Sequence, residues 1–241
     1  MSGKLIGVGT GPGDPELLTL KAVRAIGEAD VVAFFAKRGN ASNARAIAAS
    51  HFRPGQIEEA LDYPVTTEID RRHDDYKGQI ADFYAEAAQR LAVHLDAGRT
   101  VAVLSEGDPL FYGSYMHIHL RLAPLYDNEV IPGITAMSGC WSAAGLPLVQ
   151  GDDVLTILPG TLDREELVRR VLDSHGAVIM KLGRNLPKVR AALADAGRLS
   201  GAVYVERGTS ANGFHLPLVD KTDDAAPYFS LILVPGWSER P

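Results

Sequence analysis

Short apolar runs alternate with amphipathic stretches along the chain, and this alternation constrains the fold more than any other feature. Residues 5–8, 30–35, 100–104, 129–131, 154–158, 177–180, 202–205 and 229–234 read as strands, since each is a brief run rich in apolar residues. Helical spacing falls between them, at residues 15–28, 41–50, 74–97, 135–144, 164–172 and 186–196, and from just after Tyr112 to about Leu122. Asp14 suits the cap and Pro15 the first turn of the first helix, and Gly98 stops the long third one. Strands alternating with helices predict an α/β chain whose first sheet is largely parallel. The stretch Gly145-Leu146-Pro147-Leu148-Val149-Gln150-Gly151-Asp152 interrupts the pattern, so two α/β domains are expected, 1–148 and 149–241.

Composition narrows the function. A net charge of −6 argues against wholesale nucleic-acid binding, so no nucleic-acid partner is expected. One cysteine, Cys140, excludes an internal disulfide and suits the cytosol; beside Trp141 it reads as a packed core thiol. Met1-Ser2-Gly3-Lys4 runs straight into Leu5-Ile6, which does not resemble a signal peptide. No apolar run approaches the roughly 20 residues that span a bilayer. A cytoplasmic protein with no membrane partner is therefore expected.

Three loops stand where strands give way to helices. Gly7-Val8-Gly9-Thr10-Gly11-Pro12-Gly13-Asp14-Pro15 lets backbone approach a ligand closely. It is not the dinucleotide fingerprint, because in every register the last glycine slot falls on Pro12, Asp14 or Glu16. Nor is it a phosphate-cradling P-loop, and Pro12 removes an amide donor. The alternative is a tight strand-to-helix turn with no ligand. Ser105-Glu106-Gly107-Asp108-Pro109-Leu110-Phe111-Tyr112-Gly113 follows a strand, at the end where open α/β sheets bind ligands. Pro109 holds Asp108 out of the helical region, and Asp108 either accepts from a ligand or makes an Asx turn. Ile131-Pro132-Gly133-Ile134-Thr135-Ala136 ends on Thr135, which either caps a helix or leaves free amides for an anion.

In order and spacing these loops resemble the signatures of the tetrapyrrole, or class III, methyltransferases. Gly9-Thr10-Gly11-Pro12-Gly13-Asp14-Pro15-Glu16-Leu17-Leu18-Thr19-Leu20-Lys21-Ala22 is similar to the first, Gly107-Asp108-Pro109 to the second, and Pro132-Gly133-Ile134-Thr135-Ala136 to the third. Val205-Glu206-Arg207-Gly208-Thr209 resembles a late Glu-x-Gly-Thr stretch, so the likeness runs the length of the chain. The resemblance implies two α/β domains with S-adenosyl-L-methionine between them, and a homodimer. Carried over position by position, the donor site comprises Pro12, Glu106, Gly107, Asp108, Phe111, Thr135, Ala136, Met180 and Gly208; near Met180 the alignment slips, leaving Leu182 as its competitor. Asp62-Tyr63-Pro64-Val65-Thr66, the stretch from Gly107 to Leu122, and Met180-Lys181-Leu182-Gly183-Arg184 resemble the branch that methylates C20 of precorrin-2, whose cobalt-using counterpart looks almost the same.

The implied reaction passes a methyl group in line from a sulfonium to an electron-rich meso carbon. Alignment alone can supply about 7–11 kcal/mol at best, so little side-chain chemistry is required. The sequence identifies no catalytic base. The tetrapyrrole substrate carries many carboxylates, which makes Lys37, Arg38, Lys181, Arg184 and Arg207, with Arg71 and Arg72, candidates for gripping its rim, although any one of them taken alone reads more simply as a solvated surface charge. His117 and His119, two apart, do not share a helix face, and no Cys-x-x-Cys or His-Glu-x-x-His accompanies them, so no protein-bound metal is expected. Other readings are a superfamily member acting on RNA or protein, a nucleotide-binding regulatory module, and a dehydrogenase with a degenerate fingerprint.

Overall fold

The structure, a computed structural model, describes residues 2–64 and 74–236, the first four of the second stretch as backbone only. Thr66, Arg71 and Arg72 lie outside it. The chain divides into two compact units, Met1–Thr135 and Ala136–Pro241.

The first unit holds β1 (Lys4–Gly9), α1 (Leu20–Glu28), β2 (Val31–Lys37), α2 (Asn43–Ala48), β3 (Ile57–Tyr63), α3 (Asp74–Asp96), β4 (Thr100–Ser105), α4 (Tyr115–Leu122) and β5 (Asp127–Ile131). Its strands are all parallel, in the order β3-β2-β4-β1-β5. Alternate residues of each strand enter different cores. Leu5, Val31, Ala33, Val101 and Val103 pack with Phe83, Tyr84, Leu91 and Leu95 of α3 and Tyr115, Ile118 and Leu122 of α4. Ile6, Val8, Val32, Phe34, Ala102 and Leu104 pack on the other face with Ala22, Ala25 and Ile26 of α1 and Ala44 and Ala48 of α2. Burial on both faces is why these strands read as unbroken apolar runs. Each large aliphatic side chain so buried contributes about 1.5–3 kcal/mol.

That layering creates a switch point. The chain leaves β1 through α1 toward β2, and leaves β4 through α4, on the opposite face, toward β5. Neighbouring strands β1 and β4 thus send their connections in opposite directions, and a crevice opens at their carboxyl ends.

The second unit holds α5 (Ala136–Ala143), β6 (Leu155–Pro159), α6 (Arg164–Leu172), β7 (Gly176–Met180), α7 (Leu186–Asp195), β8 (Val203–Glu206), β9 (Phe214–Pro217) and β10 (Ser230–Val234). The sheet order is β6-β7-β10-β8-β9, with only β6 and β7 paired in parallel. Leu167 and Val171 of α6 and Leu186, Val189 and Leu193 of α7 cover one face; Cys140 of α5 covers the other, over Val178, Val205, Leu231 and Leu233. Among the described residues no helix is long and apolar enough to cross a membrane.

Several expectations shift on contact with the structure. Residues 15–28 form not one helix but a short turn, Pro15–Leu17, capped by Asp14, and then α1, capped by Thr19. Strands β3 and β9 lie outside the strands expected from sequence: both are edge strands, β3 carrying Glu58, Glu59 and Asp62, and β9 only four residues long with three of them exposed. The units divide at Thr135 and Ala136 rather than at 148 and 149, because α5 packs with the second sheet.

Candidate functional site

The three glycine-bearing loops meet at the switch point, and backbone joins them. Gly107 donates its amide to Gly11 O at 2.8 Å and Gly11 donates back at 3.3 Å, a one-rung bridge between the loops after β1 and β4. Thr10 adds its amide and hydroxyl to Ser105 O, at 2.8 and 3.1 Å. Gly107 has φ +64°, a conformation that glycine adopts without strain. Asp108 ties in the third loop. Its Oδ2 accepts from Gly133 N at 3.2 Å and its Oδ1 from Leu110 N at 2.9 Å. A Cβ on Gly9 would lie 2.5 Å from Gly133 N and 2.7 Å from Gly107 O, so two strand-end backbones touch where no side chain fits.

The expected donor residues of this unit gather there. Pro12 is half-buried on the first loop, Gly107 is buried, and Phe111 is half-buried with its ring edge-on to Tyr112 at 4.9 Å. Asp108 serves as an Asx turn and a loop tether together. Thr135 closes the first unit and Ala136 opens α5. Glu106 keeps exposed surface, yet the protein around its carboxyl raises the pKa by desolvation, against a hydrogen bond from the Ala44 amide. Lys37 and Arg38, both exposed, stand at the carboxyl end of β2, on the same sheet edge.

One constellation there was not singled out from sequence. Tyr63, the last residue of β3, shares a short hydrogen bond with Ser114 Oγ, and Tyr84 OH donates to the same oxygen at 3.1 Å. Burial, first of all, holds the Tyr63 phenol far above its ordinary value, and the charge of Glu106 adds to this. The His117 ring stacks on Tyr84 with centroids 4.0 Å apart; desolvation, then Arg121, lowers its pKa. His119 instead faces Tyr115 OH at 3.4 Å, so the two histidines part as the helical spacing requires. Tyr63 and Ser114 both lie in stretches that resemble the C20 branch, but the sequence pattern assigns no element to Tyr63, and nothing in it pairs the two residues.

In the second unit the remaining candidates sit at the ends of β7 and β8. Both strands run antiparallel to β10, so they end at one edge. There Lys181 and Arg207 take left-handed φ of +58° and +47°, as Tyr112 does in the first unit at +55°. Such non-glycine positions store about 1–3 kcal/mol each and cluster at ligand sites. Arg207 Nη1 donates to Glu206 Oε1 at 2.9 Å. Met180 keeps part of its surface while Leu182 is wholly buried in the core, so only Met180 of that pair is open to a ligand. Gly208 packs against Cys140; a Cβ there would lie 2.8 Å from Sγ. Arg184 is exposed on the rim of an open cavity of about 730 Å³ that Glu206, Phe214, Lys221 and Asp223 also line. Among the described residues no group of three or more potential metal ligands is found.

Comparison with known proteins agrees with this layout. The family model for tetrapyrrole (corrin/porphyrin) methylases matches residues 4–216. A precorrin-2 C(20)-methyltransferase of Sinorhizobium sp is 66% identical, across 99% of this chain and 98% of its own length. The cobalt-precorrin-2 C(20)-methyltransferase of Salmonella typhimurium is 26% identical across 97% of each chain. Among solved structures, the uroporphyrin-III C-methyltransferase of Thermus thermophilus complexed with S-adenosyl homocysteine superposes with a TM-score of 0.64, at 22% identity, over 96% of this chain and 97% of that one. The chain belongs to the tetrapyrrole (corrin/porphyrin) methylases.

Proposed function

We propose that this protein transfers the methyl group of S-adenosyl-L-methionine to C20 of precorrin-2, giving precorrin-3A in cobalamin synthesis. The observation that carries this is the 66% identity, over nearly the full length of both chains, with a precorrin-2 C(20)-methyltransferase. The drop to 26% against the cobalt-precorrin enzyme favours a metal-free substrate.

The site supports the same reading. Pro12, Glu106, Gly107, Asp108, Phe111 and Thr135 are the donor contacts proposed from the first unit, on loops whose glycines let backbone approach a ligand closely. Residues 7–15, 105–113 and 131–136 hold no lysine or arginine to pair with a polyphosphate, which suits a sulfonium donor better. Ala136, Met180 and Gly208 are the donor contacts proposed from the second unit. Lys37, Arg38, Lys181, Arg184 and Arg207 are the cations proposed to hold the substrate's carboxylates, by charge-assisted hydrogen bonds. Transfer needs the methyl and C20 within about 3–3.5 Å and in line, which is a matter of seating rather than of side-chain chemistry. The working form is a homodimer in the cytoplasm, which sedimentation and cell fractionation test.

The deciding experiment incubates the protein with precorrin-2 and donor labelled with carbon-13 in its methyl group. Carbon-13 NMR of the product should show the label on C20 alone. A label on a pyrrole carbon or another meso position refutes the assignment, and turnover of cobalt-precorrin-2 in preference to the metal-free ring refutes the choice of substrate.

A further inference from the structure

A cation grips a carboxylate best when it is held ready, because an unrestrained arginine loses the freedom of a long side chain each time it binds. Arg207 of the second unit is fixed from backbone to guanidinium. Its amide donates to Phe229 O at 2.9 Å, and its carbonyl accepts from Ser210 N at 2.8 Å. A Cβ on Gly213 would fall inside that carbonyl, so the following turn closes tightly against it. These contacts hold Arg207 at φ +47°, where a glycine would sit without strain but would carry no guanidinium.

The side chain is held as well. Arg207 Nη1 donates to Glu206 Oε1 at 2.9 Å, and Glu206 Oε2 accepts from Tyr204 OH at 2.9 Å. Tyr204 is wholly buried, with its ring centroid 6.1 Å from that of Phe214 and 4.7 Å from Lys221 Nζ. Burial, first of all, raises its phenol, which therefore stays protonated and donates. Exposure rises along this line of contacts, from none at Tyr204 to 14% for the Glu206 side chain and 40% for that of Arg207. A core hydroxyl anchors the carboxylate, and the carboxylate steadies the cation at the surface.

The pair also differs in shape from those that brace the surface of the same unit. Arg164 spans both oxygens of Asp195 through Nε and Nη2, at 2.7 and 2.8 Å, and Arg169 spans both of Glu166 at 2.9 and 2.7 Å. Each of those guanidiniums presents a two-point face to its own chain. Glu206 meets Arg207 at one nitrogen. A two-point grip would break its bond to Tyr204, so the anchor limits how much of Arg207 the carboxylate can take. A guanidinium carries five N–H groups in a fixed fork, more than one carboxylate oxygen can use.

We propose that Glu206, anchored by Tyr204, positions the Arg207 guanidinium as a ready fork for one carboxylate of the tetrapyrrole, and so takes part in seating the ring. The opposite role for the same pair is neutralisation, in which Glu206 occupies Arg207 and competes with the substrate. The two differ in sign. Removing a negative charge from beside a cation favours an incoming anion, whereas removing an anchor frees a side chain that binding must then order. The one-point contact and the buried anchor favour positioning. Arg207 binds substrate; Glu206 and Tyr204 are positioning residues. The inference rests on the C20 reading above, since it needs a substrate with carboxylates at its rim.

Its test uses the full chain, precorrin-2 as substrate, and five variants: Arg207→Ala, Arg207→Lys, Glu206→Gln, Tyr204→Phe and the double variant Glu206→Gln/Arg207→Ala. Wild type is assayed first; failure to methylate C20 of precorrin-2 overturns the C20 reading and this inference together. With that turnover in hand, Arg207→Ala should raise KM for precorrin-2 on the order of 10–100-fold, as expected for a lost charge-assisted hydrogen bond. Arg207→Lys keeps the charge but not the fork and should recover little of this. Glu206→Gln should raise KM about 10-fold, from the freed arginine. Tyr204→Phe should move KM in the same direction, and it keeps the test open should the glutamine form fold poorly. In the double variant Glu206→Gln should add nothing to Arg207→Ala, because it acts through that residue. Affinity for S-adenosylhomocysteine should stay at the wild-type value throughout. An unchanged or lowered KM in Glu206→Gln overturns the inference while the C20 reading stands. So does an additive double variant, a wild-type KM in Arg207→Lys, or a loss of S-adenosylhomocysteine affinity that matches the rise in KM.

Discussion

At Gly133 one added methyl group is enough to part the loops. Its Cβ would fall inside the carbonyl of Gly107 and 2.9 Å from Gly9 Cα, and backbone atoms cannot swing away as a side chain can. Gly133→Ala should therefore lower the melting temperature and weaken S-adenosylhomocysteine binding together, read by calorimetry and tryptophan fluorescence. Gly78→Ala, in α3 with nothing within 4 Å of the new atom, is the control; it should stabilise the protein by about 0.5–1 kcal/mol through helix propensity. The sequence displays these glycines plainly but not their use. Read along the chain they suggest room for a ligand; in the fold Gly9 and Gly133 make room for each other, a pairing of residues far apart in sequence. Cys140 was legible, since a thiol among small and apolar residues is most simply a core residue. Burial raises it to about 11, so its thiolate is scarce at pH 8. Alkylation by iodoacetamide should be slow in the native protein and fast in denaturant; rapid native labelling would contradict the packing.

Among the elements, the central strands were readable because burial on both faces leaves an unbroken apolar run, and the edges were not. β3 carries Glu58 and Glu59, which pair with Arg45 of α2 and Arg90 of α3 across segments that sequence does not bring together. Those charges hide a strand from a hydrophobic reading while protecting the sheet's edge. The opposite edge has its own clamp: Glu129 of β5 accepts from Lys4 of β1 at 2.7 Å and from Lys21 of α1. Hydrogen bonds from Lys21 and then Lys4 pull the Glu129 carboxyl down to about 2. A group depressed in the folded state stabilises at pH above its unfolded value, about 4.3, and loses that contribution as pH falls through its folded value. The side chains keep 28–57% exposure, which limits the clamp to about 1 kcal/mol or less. Glu129→Gln should thus be slightly less stable than wild type at pH 7. The gap should narrow between about pH 4.3 and about pH 2 and close below that, as followed by urea denaturation across pH. A gap that persists at the acid end would mean the clamp is not ionic.

For the molecule as a whole, the division between the units is where a reading of turn formers and a reading of packing part company. Gly145 to Asp152 carries the turn-forming residues and drew the expected boundary. Yet Met137, Cys140, Trp141 and Ala144 recur at helical spacing, and that stripe packs on Val178, Val205, Leu231 and Leu233. Leu148 belongs to the same cluster, and its carbonyl accepts from Gly236 N at 2.9 Å, so the intervening stretch is tied to the second sheet as well. A strand centre apolar on both sides needs cover on both; α6 and α7 supply one side and α5 the other. Cutting at 149 removes that second cover and bares the strand residues beneath it, at about 25 cal/mol for each Å² exposed. A fragment of residues 136–241 should consequently unfold in one cooperative transition, with Trp141 fluorescence reporting loss of the α5 contact. A fragment of 149–241 should bind the dye ANS and unfold without a sharp midpoint. Equal stability and equal dye binding in the two would return the boundary to the turn-rich stretch and leave α5 to the first unit.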